Sequence, residues 1–120
     1  MLTIIVPIYN EKEFLRSIFN KIFKIKIKRL QIIIVDDGSN DGTTEILKKF
    51  YLKNKKINKI IFHKKNSGKG SAIKSAQKYI KEKYVVIQDA DLEYDPNDLV
   101  KIYNYIKNNK IKVVYGSRVL

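Results

Sequence analysis

The sequence predicts an α/β domain, a mostly parallel sheet with helices on both faces. Two observations carry that expectation. Five short apolar runs rich in Ile and Val alternate with four stretches of helical periodicity, in the order βαβαβαβαβ. Ten of the twelve acidic residues fall in three short segments, and each segment follows one of those apolar runs. Right-handed crossovers place the C-terminal ends of parallel strands on one edge. The three acidic segments should therefore converge where open α/β sheets bind their ligands.

Each element has a local reason. Residues 2–6 form an apolar run that Pro7 is expected to end, a buried strand. Asn10 is a candidate N-cap, with Glu11 and Glu13 in the first turn, where a helix favours anions. Phe14, Leu15, Ile18, Phe19, Ile22 and Phe23 then share one helical face. Residues 30–35 are a second β-branched run, stopped by the turn-forming string Asp36-Asp37-Gly38-Ser39-Asn40-Asp41-Gly42. Ile46, Leu47, Phe50 and Tyr51 mark the next helix, and residues 59–62 a third, shorter strand. The loop from His63 to Gly70 opens a helix with Ala72, Ile73, Ala76, Tyr79 and Ile80 inward. Residues 84–88 are the fourth strand, followed by Asp89-Ala90-Asp91-Leu92-Glu93. Asp95-Pro96 starts a helix with Pro in its first turn and a stripe of Leu99, Ile102, Tyr103 and Ile106. Residues 111–115 are the fifth strand, and Gly116-Ser117-Arg118 follows.

Bulk properties exclude several classes. The 120 residues suit one domain, expected to span 1–120, with 44% hydrophobic content that fits a folded core. The absence of cysteine removes disulfides, thiolate catalysis and zinc–thiolate sites, and a single histidine removes any multi-histidine metal site. No stretch approaches the ~18 apolar residues of a membrane span. Residues 1–7 carry no basic n-region of a signal peptide. A cytoplasmic location is expected, with peripheral contact at the cytoplasmic membrane face. The formal charge of +13 has two readings: attraction to a polyanion or phosphorylated substrate, or Lys-rich solvated helix faces.

The acidic segments carry the chemistry. Asp89, Asp91 and Glu93 stand at alternate positions, which point the same way in extended chain. Carboxylates so placed suit Mg²⁺ or Mn²⁺, which take one or two protein ligands together with substrate phosphate. A helix-capping acidic loop is the competing reading, and Asp95 fills that role without accounting for Asp89. Asp37 can accept from a nucleobase N–H or a ribose hydroxyl; an Asx turn into the next helix is the alternative, for which Asn40 or Asp41 suffices, with Gly38 and Gly42 at positive φ. Tyr9 can stack on a base, and Glu11 can accept from it. Gly68-Lys69-Gly70 fails as a phosphate loop, because His63 stands where G-x-x-x-x-G-K-[ST] needs Gly. Backbone N–H groups and Lys69 at a helix start remain there as a weak anion site. His63 is expected to serve packing or the surface. Arg118 can pair with a diphosphate or an anionic acceptor, or be a surface residue.

Five strings together resemble the inverting glycosyltransferases of family 2, nearest the dolichyl- or polyprenyl-phosphate sugar synthases. They are Ile5-Val6-Pro7-Ile8-Tyr9-Asn10-Glu11, Ile34-Val35-Asp36-Asp37-Gly38-Ser39-Asn40-Asp41-Gly42-Thr43, Asn66-Ser67-Gly68-Lys69-Gly70-Ser71-Ala72, Gln88-Asp89-Ala90-Asp91-Leu92 and Tyr115-Gly116-Ser117-Arg118. They occur in the family's order and spacing. The resemblance implies the GT-A fold, a Rossmann-like nucleotide-sugar-binding half. It implies nucleotide contacts from Pro7, Tyr9, Glu11 and Asp37, and a donor site around Asp89, Ala90 and Lys69. It implies Asp91 as metal ligand and catalytic residue, Glu93 as a further metal ligand where relatives often carry Gln, and Arg118 as the phosphate-facing catalytic residue. Family members continue well past this length, so the chain is expected to stop before the acceptor-binding part.

The expected reaction is transfer of a hexose, with inversion and metal assistance, from UDP-glucose- or GDP-mannose-type donors to a lipid phosphate or a glycan. A donor-binding module without turnover is one rival. A receiver-like phosphoacceptor domain is another, but it needs its acidic pair after the first strand, where Pro7 and Tyr9 stand. A basic nucleic-acid-binding domain is the third; the expectation is no nucleic-acid partner. The sequence leaves the sugar, the base and the oligomeric state open.

Overall fold

The computed structural model describes residues 2–53, 57–88, 101, 104, 105 and 113–115. They contain β1 (Leu2–Ile8), α1 (Leu15–Phe23), β2 (Leu30–Asp36), α2 (Thr43–Lys53), β3 (Lys59–Phe62), α3 (Lys69–Gln77), β4 (Tyr84–Ile87) and β5 (Val113–Tyr115). The strands form a sheet of order β3-β2-β1-β4-β5 in which each neighbouring pair is parallel. From β1 the chain works outward through β2 and β3, then returns to the other side of β1 for β4 and β5. That reversal makes the C-terminal ends of β1 and β4 the topological switch point, where open parallel sheets form their ligand crevice. The expected helix after Pro96 lies almost wholly outside the described residues; Lys101, Asn104 and Tyr105 are helical.

Strand side chains alternate between two cores. Ile4, Val6, Ile8, Ile32 and Ile34 face α1 and α2, with Leu15, Phe19, Ile22 and Leu47 packed on them. Phe19 stacks on Phe23 at 5.7 Å and meets Phe50 at 4.6 Å. Ile5, Ile33, Val35, Val85 and Ile87 face α3 across Ala72 and Ala76, both fully buried. Side chains this small, one helical turn apart, let the backbone of α3 approach the sheet closely. A buried polar clamp anchors the far end of α3: Thr3 Oγ1 donates to Gln31 Oε1 at 2.6 Å, and Gln31 Nε2 donates to the Tyr79 carbonyl at 2.7 Å.

Two expectations at the first strand are corrected. Pro7 does not end it, because β1 runs on to Ile8. The Ile5 carbonyl accepts from Gln88 on the β4 side and the Ile8 carbonyl from Asp37 on the β2 side. Backbone groups alternate along a strand, so the Pro7 nitrogen faces β4, where pairing has already ended at Ile5–Ile87. Its missing N–H costs no ladder bond. Asn10 is not a helix cap, and Glu11 and Glu13 are not in a first helical turn. α1 starts at Leu15, and its N-cap, Phe14, makes no side-chain cap bond. Asn10 sits at φ +51°, a left-handed conformation that Asn tolerates, and its side chain is used elsewhere.

Among the described residues β2, β3 and β4 match to within a residue. β2 extends one residue to Asp36, and α3 ends at Gln77, so Tyr79 and Ile80 pack on the second core from beyond the helix.

Candidate functional site

The loops after β1 and β2 are laced together at the C-terminal edge. Asn10 N–H donates to Ser39 Oγ at 3.0 Å, and Asn40 N–H donates to Asn10 Oδ1 at 2.8 Å. Glu11 N–H donates to Thr43 Oγ1 at 3.1 Å, and that hydroxyl donates onward to Asp41 Oδ1 at 2.5 Å. Asp41 also accepts Thr43 N–H at 3.0 Å and Lys12 N–H at 3.3 Å. It is the turn carboxylate expected ahead of α2. Burial works to raise its pKa, but the bonds from Thr43 and Lys12 win and hold it below the ordinary aspartate value. Asp36 turns to the other face, accepting Ser39 N–H at 3.1 Å and the Thr44 hydroxyl.

Asp37 is the hub of the next loop. Its side chain is only 6% exposed. Oδ1 accepts from His63 Nδ1 at 2.8 Å and from Ser67 N–H at 2.9 Å, and Oδ2 accepts from Gly68 N–H at 2.8 Å. Burial pushes the Asp37 carboxyl up, yet the bonds from His63, Ser67 and Gly68 outweigh it and hold it below its usual range. The carboxylate is therefore ionised at neutral pH.

The anion expected at the start of α3 is thus partly supplied from within. Asp37 takes two of the backbone N–H groups there, and Lys69 opens the helix beside them. Gly38 makes the approach possible. It sits at φ +74°, and a Cβ on it would lie 2.3 Å from the Lys65 carbonyl carbon and 2.4 Å from the Asn66 nitrogen. Gly42, at φ +102°, meets only the Lys12 side chain.

His63 is the residue whose part sequence reasoning missed. The sequence points it to packing or the surface; in the structure it is half-buried and bridges two elements. Nδ1 meets Asp37, and Nε2 lies 2.8 Å from Ser75 Oγ on α3. The sequence signal is that His63 directly follows the apolar run of β3, at the same strand-end position that Asp37 holds after β2.

Tyr9 leaves β1 43% exposed, and Pro7 precedes it half-buried. Pro7, Tyr9, Glu11 and Asp37 therefore share the edge with Lys69. Asp89, Ala90, Asp91, Glu93 and Arg118 lie outside the described residues. Gln88, which leads into the acidic stretch, is 5% exposed, and its Oε1 has no hydrogen-bond partner among the described residues. Among the described residues no cluster of three His, Cys, Asp or Glu could hold a metal. An orphaned acceptor oxygen at the start of a carboxylate run nonetheless fits a hard, oxygen-seeking cation. No helix among the described residues is long and apolar enough to cross a membrane.

A parallel sheet with its polar loops gathered at the switch point is the framework of a nucleotide-binding α/β domain. The chain matches the model for Glycosyl transferase family 2 over residues 3–120, and it belongs to that family, with the GT-A fold. It is similar to a dolichyl-phosphate beta-glucosyltransferase of Dictyostelium discoideum, at 35% identity over 98% of this chain and 39% of that protein. It is also similar to the mannosyltransferase PcManGT of Pyrobaculum calidifontis, solved in complex with GDP-Man and Mn²⁺. That match has a TM-score of 0.77 and 26% identity, over 88% of this chain and 32% of that one. S. aureus TarS 1–349 in complex with UDP-GlcNAc matches with a TM-score of 0.73 at 24% identity, over 91% of this chain and 32% of that one, a likeness of fold alone. The chain spans half or less of the length of the curated relatives it matches.

Proposed function

We propose that this chain is the donor-binding part of an inverting hexosyltransferase, acting on a nucleotide sugar and delivering the hexose to a polyprenyl or dolichyl phosphate at the cytoplasmic membrane face. One observation carries the reading: the sheet reverses between β1 and β4, and the acidic stretch follows β4 in the sequence directly after its C-terminal end at that crevice.

Tyr9 offers an exposed ring for the base to stack on, with Pro7 and Glu11 beside it. Asp37 accepts from the nucleoside. Asp89, Ala90 and Lys69 would contact the donor toward its diphosphate, and Arg118 would pair with the diphosphate or the anionic acceptor. Asp91 and Glu93 would hold Mg²⁺ or Mn²⁺. Such an ion, when bound, supplies positive charge against the departing diphosphate. A lipid-phosphate oxygen is already ionised near neutral pH, so this acceptor requires no general base. His63, tied to Asp37 and Ser75, is not free to be one.

The test is incubation with labelled UDP-glucose or GDP-mannose, Mn²⁺ and polyprenyl phosphate. Labelled glycolipid supports the whole reading. Metal-dependent donor binding without transfer reduces the chain to a donor-binding unit. Absence of donor binding contradicts it.

A further inference from the structure

We infer that the site prefers a uracil nucleotide to a guanine nucleotide, and that His63 sets this preference through Asp37. The inference rests on the donor-site reading above and takes it to the level of the base. The related structures leave the base open, since one holds GDP-Man and another UDP-GlcNAc.

A carboxylate has about four acceptor directions, two on each oxygen. On Asp37, Oδ1 is filled by His63 Nδ1 and Ser67 N–H, while among the described residues Oδ2 is engaged only by Gly68 N–H. One direction is left. Uracil presents a single imide N–H between two carbonyls, which one acceptor direction satisfies. Guanine presents N1–H and N2–H side by side, an edge suited to a carboxylate with both oxygens open. Against Asp37 one of those donors would be buried without an acceptor, a penalty of roughly ten- to a hundredfold in affinity.

The count is held in place from three directions. The ionised carboxylate can only accept, so His63 Nδ1 carries a proton. In the neutral ring, Nε2 then accepts from the Ser75 hydroxyl, which pins the imidazole to α3. Ser67 and Gly68 belong to the loop packed on Gly38, so the carboxylate cannot rotate to free Oδ1 without moving that loop. His63 thus acts on the base through Asp37, as a specificity-determining positioning residue.

Calorimetric titration with UDP and with GDP, each with Mn²⁺, tests this on wild type, His63→Ala and His63→Asn. The expected GDP-to-UDP ratio of dissociation constants is about ten or more in wild type. It should fall toward one in His63→Ala and be kept by His63→Asn, whose amide retains a donor near the Nδ1 position. A purely structural role would weaken both nucleotides alike and leave the ratio unchanged, which would overturn the part given to His63. Equal or tighter GDP binding by wild type overturns the base preference while the donor-site reading stands. Binding of neither nucleotide overturns the donor-site reading itself. The chain has one histidine, so its ring nitrogens can be read directly by ¹⁵N NMR even where His63→Ala does not fold. A proton on Nδ1 in the free protein supports the donor count, and a neutral ring protonated on Nε2 overturns it.

Discussion

Replacing Gly38 by alanine should damage this domain far more than the same change at its other left-handed glycines. The backbone term is similar at Gly38 and Gly42, at φ +74° and +102°, and no smaller at Gly68, at φ +95° and ψ +160°, a region only glycine favours. A Cβ in the left-handed region costs roughly 1–2 kcal/mol. The steric term is not shared. At Gly68 a Cβ would meet nothing within 4 Å, and at Gly42 only the Lys12 side chain from 3.4 Å outward. At Gly38 it would fall 2.3 Å from one backbone atom and 2.4 Å from another. Side chains cannot yield there, so residues 65–66 must move, which adds about 1–3 kcal/mol of overpacking. Gly38→Ala should therefore cost about 2–5 kcal/mol, against about 1–2 for Gly42→Ala and about 1–3 for Gly68→Ala from its backbone alone. Because Ser67 and Gly68 follow the displaced segment, the bonds to Asp37 should loosen with it. Urea unfolding of the three variants, compared at equal m-value, measures this. A Gly38→Ala variant no less stable than Gly42→Ala would refute the tight packing of the two loops.

Four further expectations follow from the bonded network and from the packing of α3. Asp37→Asn places an amide donor against His63, Ser67 or Gly68, and should cost about 1.5–3 kcal/mol in chemical denaturation as charge-assisted bonds are lost. Asp37 and Asp41 both sit below their ordinary pKa when folded, so each stabilises the chain above about pH 4 and loses that contribution as pH falls through the lowered value. Melting temperature followed from neutral to acid pH should show a fall that is shallower in Asp37→Asn. Thr43→Val leaves Glu11 N–H and Asp41 without their shared hydroxyl and should cost about 1–2 kcal/mol by urea titration. Ala72→Leu forces α3 off the sheet, for about 1–3 kcal/mol, and should weaken nucleotide binding measured by calorimetry by displacing the start of that helix.

Most of the fold was legible because the strands are continuous Ile/Val runs, as strands buried on both faces must be. Asp41, Gly38 and Gly42 were legible for a related reason, since local turn chemistry demands those residue types. The errors lie where a distant partner decided the outcome. Pro7 reads as a strand end until β4 is known to part from β1 after Ile5, leaving its nitrogen with no ladder bond to make. Asn10 has the composition of a cap, yet its amide is spent on Asn40, 30 residues away. His63 reads as an isolated histidine because Asp37 and Ser75 come to it from 26 and 12 residues away. The convergence of Tyr9, Asp37 and Lys69 followed from parallel topology alone; the division of donors between the two Asp37 oxygens required coordinates.

The central claim is that the strand edge at the β1–β4 switch point is a nucleotide-sugar donor site completed by the acidic stretch. Calorimetric titration of this chain with UDP-glucose, with and without Mn²⁺, and again in Asp91→Ala, addresses it most directly. The account requires saturable binding that depends on Mn²⁺ and is lost in Asp91→Ala while the melting temperature is unchanged. Binding of equal strength without metal and in the variant would contradict it.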